Sequence, residues 1–330
     1  MKRFFLLLCL VVLAPPPSAA GARQSKRPAI SFASVDEGRR ILTTRDDFVA
    51  RLSPFDRAAR VGTDRDVSEQ EYLRFVSANV LAWTRHDKTV VEAAWSALGP
   101  KLDELSLPLP PVIYMIKTTG REEGGAEYTR SNAIILPRET VDAGRPGSLE
   151  AILAHELFHV LSRYNPQLRD QLYEVIGFQP CGEVPFPAEL ASRKITNPDA
   201  PRNDHCIHLQ TSGGAIWTVP ILFSRTPRYD AAQGGPFFRY IEFKLLVVQR
   251  RGSSPNAPAT YDAAHPTLLG VDQVSGFYEQ VGRNTDYIIH PEEILADNFR
   301  LLLLSPANAP SPDVLHRLSA VLGRVRAAKQ

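Results

Sequence analysis

Residues 148–164 read SLEAILAHELFHVLSRY, and this stretch decides the fold of the 330-residue chain. Ser148 is a residue type that caps the start of helices, and Glu150 places a negative charge in the first turn, where the helix dipole favours it. Apolar residues recur at helical spacing along the stretch, at Ile152, Leu153, Leu157, Val160 and Leu161. The pattern predicts a largely buried helix over about 148–164.

The same stretch contains the motif His155-Glu156-Leu157-Phe158-His159. Residues four apart lie one turn apart on a helix, so both imidazoles point into the same space and could bind one zinc ion. Glu156 is rotated by about 100° from His155, which places it beside the metal rather than among the ligands. There it could take a proton from a zinc-activated water that attacks a carbonyl group. The motif predicts a hydrolytic zinc site with Glu156 as the general base.

A catalytic zinc site of this kind needs a third protein ligand and keeps a fourth position open. Glu293 is the favoured candidate, because Asp297 follows it by four residues on a predicted helix. On one helix face, Glu293 could bind the metal while Asp297 accepts the free ring N–H of a ligating histidine, expected to be His155.

Two other glutamates are weaker candidates for the third ligand. Glu292 has Ala296 four residues on, and Glu189 has Arg193 at the same spacing. Neither alanine nor arginine can accept a hydrogen bond from a ligating histidine. Glu189 is kept as the rival ligand.

The elements predicted around the motif include both strands and helices. The apolar, β-branched run 112–116 predicts a buried strand, and 126–137 reads as a second extended segment. The predicted helices cover about 68–84, the stretch from Val90 to a stop at Gly99-Pro100, 291–304 and 312–328. The run 237–249 fits a buried helix or a buried strand, and helix is preferred. These elements predict an α+β fold that is predominantly helical.

The N-terminus reads as a secretory signal peptide. Two basic residues precede an apolar run, and small residues follow it. We therefore expect residues 1–22 to be removed and the mature protein to be secreted or periplasmic. The chain has 38 Lys and Arg against 36 Asp and Glu, so without Lys2 and Arg3 its formal charge is zero. This balance, and the absence of a later apolar run of about twenty residues, indicate neither nucleic-acid binding nor a membrane span.

Two cysteines, Cys181 and Cys206, lie beyond the signal peptide. In an oxidising compartment the simplest expectation is a disulfide between them, which contributes ~2–4 kcal/mol. Asp204, His205 and His208 crowd around Cys206, and a second metal site is therefore the alternative.

The combination of His155-Glu156-x-x-His159 with Glu293-x-x-Ala-Asp297 resembles the gluzincins, the zinc metallopeptidases with a glutamate ligand of which thermolysin is the best known. The resemblance covers roughly 110–164 and 284–303. It implies a zincin-like fold in which a small mixed sheet lies over the motif helix, and whose edge strand pairs with an extended substrate.

The resemblance also implies roles for residues outside the motif. Asn132 and Ala133 would line the substrate cleft. Tyr287 resembles the tyrosine that precedes the ligand helix in some toxin-like gluzincins, where it donates to the oxyanion, and His290 is the second choice. The expected organisation is a helical N-terminal region at 23–105 and a zincin-like catalytic domain at 106–330. A proline-rich insertion at about 165–285 would shape or cover the cleft.

The sequence therefore predicts a secreted peptidase with one zinc ion and a peptide or protein substrate. Three alternatives stay open. Hydrolysis of another amide would use the same residues, and a non-catalytic protein could keep zinc for stability or partner binding. A latent enzyme could be blocked by the insertion, with Cys206 or Asp204 on the zinc.

Overall fold

The computed structural model describes residues 27–144, 147–250 and 258–328. The predicted signal peptide, residues 1–22, lies outside this part of the chain. Within the described ranges, no helix combines the length and apolar character needed to cross a bilayer. The fold mixes 46% helix with 19% strand and contains small sheets, which confirms the predicted α+β class in its general form.

A mixed five-stranded sheet is built from the first half of the chain. Its strands are β1 Ala29–Phe32, β2 Val80–Leu81, β3 Val112–Thr118, β4 Tyr128–Arg130 and β5 Ala133–Pro137. β3 runs parallel to β1 and β5 on either side, as suits a strand whose residues are mostly buried. β4 is antiparallel to β5 and forms an edge of the sheet. Both predicted extended segments are confirmed, the second as two strands.

The N-terminal region predicted as helical at 23–105 contributes two strands to this sheet. β1 pairs with β3 in parallel, and β2 pairs with β3 in antiparallel orientation. The region therefore shares its sheet with the chain that follows, and the proposed boundary at 105/106 stays a prediction.

Eleven α-helices are found in the described part of the chain. They are α1 Val35–Leu42, α2 Asp47–Arg51, α3 Pro54–Val61, α4 Glu69–Ala78, α5 Arg85–Leu105, α6 Arg138–Ala143, α7 Ser148–Tyr164, α8 Pro166–Glu174, α9 Phe277–Val281, α10 Pro291–Leu304 and α11 Pro312–Ala328. α7, α10 and α11 confirm the predicted helices. Ser148 is the first residue of α7 rather than its cap, which is Gly147.

Two helix predictions were wrong in extent. The helix predicted over 68–84 ends at Ala78, because Val80 and Leu81 pair with β3. The next helix does not stop at Gly99-Pro100 but continues to Leu105. An interior proline costs a helix ~3 kcal/mol or more, but Leu98 and Leu102 on either side are both buried. Their packing sustains the helix past the proline.

The helix predicted over 237–249 was also wrong. Ile241–Val248 is a strand, β9, that pairs with β8 along its whole length. The apolar run fits either structure by periodicity, and its long-range partner decides. The strands of this second sheet are β6 Phe178–Pro180, β7 His205–Thr211, β8 Gly214–Ser224, β9 Ile241–Val248 and β10 Leu268–Leu269. The proline-rich insertion thus contains a sheet of its own.

α7 lies in the main hydrophobic core, in contact with β4, β5, α5 and α10. Its apolar side is fully buried, at Leu153, Leu157, Phe158, Val160 and Leu161. Burial of each such side chain contributes roughly 1.5–3 kcal/mol. Phe158 packs against Phe299 of α10, with ring centroids 5.8 Å apart. This packing fixes α7 against α10, the two helices that carry the candidate ligands.

Candidate metal centre

The two histidines of the motif lie side by side on α7, as their spacing predicts. Their ring centroids are 4.8 Å apart. The side chain of His155 is 17% exposed, whereas that of His159 is 1% exposed. The pair therefore has one member at the edge of the core and one inside it.

Glu293, from the first turn of α10, lies between the two imidazoles. Its Oε2 is 3.1 Å from His155 Nε2 and 3.7 Å from His159 Nε2. One ligand atom from each of these three residues lies within 4.8 Å of the others. Burial opposes ionisation of Glu293, but His159 and His155 and a hydrogen bond from Asn197 Nδ2 lower its pKa to about 2. α7 and α10 thus bring two nitrogen atoms and one carboxylate to one point.

The surroundings of His159 Nε2 indicate whether a metal ion fits this group. The atom is buried and has no hydrogen-bond partner among the described residues. Buried polar atoms are nearly always paired, so an orphaned one needs an explanation. Two imidazoles and a carboxylate are the ligand set of many catalytic zinc sites, with a fourth position left open. The three residues fit a zinc ion, and Nε2 would then be paired.

Asp297 bonds to Nδ1 of His155, the ring nitrogen that does not contact Glu293, as predicted. Its Oδ1 lies 3.2 Å from His155 Nδ1, on the opposite side of the ring from Glu293. Thr285 Oγ1 donates to Oδ2 of Asp297, and Arg300 Nε donates to Oδ1 at 3.1 Å. Burial alone would raise the pKa of Asp297, but the bonds from His155 and Thr285 lower it to about 2. An ionised Asp297 fixes the His155 tautomer that leaves Nε2 free for a metal.

Glu292 orients His159 through its Nδ1 in the same way, a role that the sequence did not reveal. Its Oε1 lies 2.9 Å from His159 Nδ1, and Ser162 Oγ donates to the same oxygen. Tyr173 hydroxyl donates to Oε2 at 2.5 Å. The dismissal of Glu292 rested on Ala296, its neighbour along α10, whereas its partners come from α7 and α8. Ser162, one turn beyond His159, was the available signal.

Glu156 is buried between α7 and the edge strand β4. Thr129 Oγ1 donates to its Oε2 at 2.8 Å, and its side chain belongs to a group with His159 and Asp199. Burial and the carboxylate of Asp199 raise the pKa of Glu156 to about 8. The residue lies beside His159 and outside the group of three candidate ligands, and its role as a base stays a prediction.

The predicted cleft residues Asn132 and Ala133 do not lie on the edge strand, and their role in a cleft stays a prediction. Ala133 is fully buried in β5, which lies between β3 and β4. Asn132 lies in the turn between β4 and β5, where its Nδ2 donates to Val112 O at 2.9 Å. The edge strand is β4, because the second extended segment turns back on itself. Thr129 in β4 is the strand residue that touches Glu156.

Tyr287 and His290, the candidate oxyanion donors, lie in different environments. Tyr287 is 41% exposed as a residue, and partial burial and the carboxylates of Glu293 and Asp199 raise its pKa. It lines a small cavity together with Asn197 and Asp199. His290 is buried, and its Nδ1 accepts from the N–H of Glu292 at 3.1 Å, which caps α10. Burial lowers the pKa of His290 to about 4.

The remaining candidates lie apart from the centre. Among the described residues, the groups able to hold a metal include neither Glu189 nor Asp204 nor Cys206. Cys181 and Cys206 are free, buried thiols in the structure. A hydrogen bond between the two thiols raises the pKa of Cys181 and lowers that of Cys206. The predicted pair is brought together, and its oxidation to a disulfide stays a prediction.

Comparisons with protein-family models, with curated proteins and with solved structures found no match for this chain.

Proposed function

We propose that this protein is an exported, zinc-dependent peptidase of gluzincin type, with a zincin-like fold, that hydrolyses bonds in a peptide or protein substrate. The observation that carries the proposal is the buried, unpaired Nε2 of His159 next to Glu293 and the partly exposed His155. Glu156 supports it, because a protein that held zinc only for stability would not need a buried carboxylate beside the ligands.

Each residue of the site would have a separate role in the proposed reaction. Zinc bound by His155, His159 and Glu293 would supply a Lewis acid that polarises a carbonyl group and acidifies a water molecule. Thr129 holds Oε2 of Glu156. The charge of a bound zinc ion would favour the ionised carboxylate, whose Oε1 could then receive a proton. Tyr287 would donate its hydroxyl hydrogen to the oxygen on which negative charge develops.

Metal content and cleavage, measured together on the full chain, test this proposal. We expect one zinc per chain, and cleavage of casein or of a peptide library that stops when 1,10-phenanthroline removes the metal and returns when zinc is added. The assay is made on the wild type and on the Asp199→Asn variant. Zinc without cleavage in either protein would favour the non-catalytic zinc-binding alternative.

Replacing Tyr287 with Phe removes the proposed oxyanion donor. We expect kcat to fall by ~10²–10³-fold, the usual effect of losing one such donor, with zinc content unchanged. Steady-state kinetics measure the effect, and Tyr164→Phe, at the exposed end of α7, is the matched control. An unchanged kcat in the Tyr287 variant would assign the donor elsewhere.

A further inference from the structure

On the open side of the edge strand β4, the backbone groups of Thr129 are already bonded to side chains. Thr129 pairs with Ile134 of β5 on one side, and its own N–H and carbonyl face the other. The N–H donates to Asp199 Oδ1 at 2.7 Å, and the carbonyl accepts from Arg163 Nη1 at 3.0 Å. These are the two backbone groups that an added strand would use. A segment of the insertion therefore stands where an extended peptide could pair with the sheet.

This segment, residues 197–199, is also bonded to the metal centre. Asn197 Nδ2 donates to Glu293 Oε1 at 2.5 Å. Arg163 of α7 donates through Nη2 to the carbonyls of Pro198 and Asp199, at 3.0 and 3.1 Å. Each of its residues therefore contacts the site or the helix that carries the motif.

Asp199 brings a carboxylate to the candidate ligands. One ligand atom from each of Asp199, His159 and Glu156 lies within 4.8 Å of the others. Glu292 engages His159 Nδ1, so the atom that His159 offers to a metal is its unpaired Nε2. Thr129 engages Oδ1 of Asp199, which leaves Oδ2 for another partner. His159 is thus common to two groups, one with His155 and Glu293 and one with Glu156 and Asp199. Glu293 Oε2 lies 3.7 Å from its orphaned nitrogen.

We propose that Asp199 is a fourth protein ligand of the zinc and that residues 197–199 occupy the substrate position, so that the described conformation is self-inhibited. The inference rests on the proposed zinc function. Zinc sites with four protein ligands are closed, whereas catalytic sites keep one position open. The blocking residue of the latent form is then Asp199, rather than the Asp204 or Cys206 expected from the sequence.

The N-terminal region anchors the segment from one side. Thr196 N–H donates to both carboxylate oxygens of Asp56 at 3.1 Å, and Arg60 Nη2 donates to the Thr196 carbonyl at 2.9 Å. Pro198 and Asp199 also line a cavity of about 530 Å³. Residues 197–199 could withdraw into this space while Thr196 stays attached, and a substrate would compete with them for Thr129.

The variant Asp199→Asn tests the proposal, because the amide oxygen can still accept from Thr129 while the charged ligand is lost. We expect the zinc dissociation constant to rise at least ~10-fold, the lower end of the effect of losing an outer partner of a ligand. In the cobalt-substituted protein we expect a changed visible spectrum and a response to acetohydroxamate at lower concentration than in the wild type. Peptide hydrolysis should rise.

Asp204→Asn is the matched control, because Asp204 lines the same cavity without belonging to the metal group. Its cobalt spectrum and hydrolysis should equal those of the wild type. Asp199→Ser, with a shorter side chain, repeats the test if the asparagine variant does not fold.

Several outcomes would overturn the inference. One is an Asp199→Asn protein with the wild-type cobalt spectrum and zinc affinity. Another is loss of hydrolysis in that variant with an unchanged spectrum, since Asp199 would then assist the reaction rather than block it. A changed spectrum with no hydrolysis in any variant would leave Asp199 as a ligand and contradict the peptidase proposal alone. Hydrolysis in the wild type with identical spectra would contradict the inference alone.

Discussion

Glu156→Gln should lower peptide hydrolysis by ~10²–10⁴-fold, the usual contribution of a positioned general base, while zinc stays bound. Glutamine has the shape of glutamate and can still accept from Thr129 Oγ1, but it cannot take up a proton at neutral pH. Glu156 directly follows His155 on α7, and its Oε2 is held by Thr129 Oγ1 at 2.8 Å, so it is not expected to be a ligand and metal affinity should hold.

The measurement pairs kcat/KM with zinc content on the same preparation. It is made in the wild type and in the Asp199→Asn background, where the proposed block is removed. Glu150→Gln is the matched control, because Glu150 lies on the same helix and bonds only to the Gly147 N–H at its start. Full hydrolysis by the Glu156 variant would assign the proton transfer to another group. Loss of zinc would make Glu156 a ligand.

The parts of the fold that could be predicted from sequence depend on local spacing. α7 and α10 carry strong apolar periodicity and have the predicted bounds. On such helices, the spacing of His155 and His159 fixes their geometry before any tertiary contact is known. The same holds for Glu293 and Asp297. The prediction that these two helices meet at one point came from the chemistry of zinc, which needs a third ligand.

The parts that were missed depend on contacts between distant segments. β9 is a strand because it pairs with β8. Its own apolar run fits a helix equally well. Glu292 was dismissed on its own helix, although its partners lie on α7 and α8. Asp199 follows a proline in an irregular stretch, with no periodicity to place it. Contacts with distant elements bring that stretch to the metal centre, among them the anchoring of Thr196 by α3 and the bonds from Arg163 of α7.

The adjacent residues Glu292 and Glu293 give the second strong prediction, because both are buried at the start of α10 but face the histidines differently. Glu293→Gln should abolish stable zinc binding, since the carboxylate between the two Nε2 atoms is lost. Glu292→Gln should keep zinc, with affinity weakened by ~10–100-fold, because it removes only the charged partner of His159 Nδ1.

Zinc titration against a competing chelator measures both affinities, and circular dichroism shows that each variant is folded. The rival ligand Glu189 is exposed and provides the control, with Glu189→Gln expected to bind zinc as the wild type does. Equal losses in the Glu292 and Glu293 variants would mean that zinc affinity reports the stability of the start of α10 rather than coordination. Zinc retained by Glu293→Gln and lost by Glu292→Gln would exchange the two roles. The contrast between neighbours in one helical turn therefore separates a ligand from the residue that orients one.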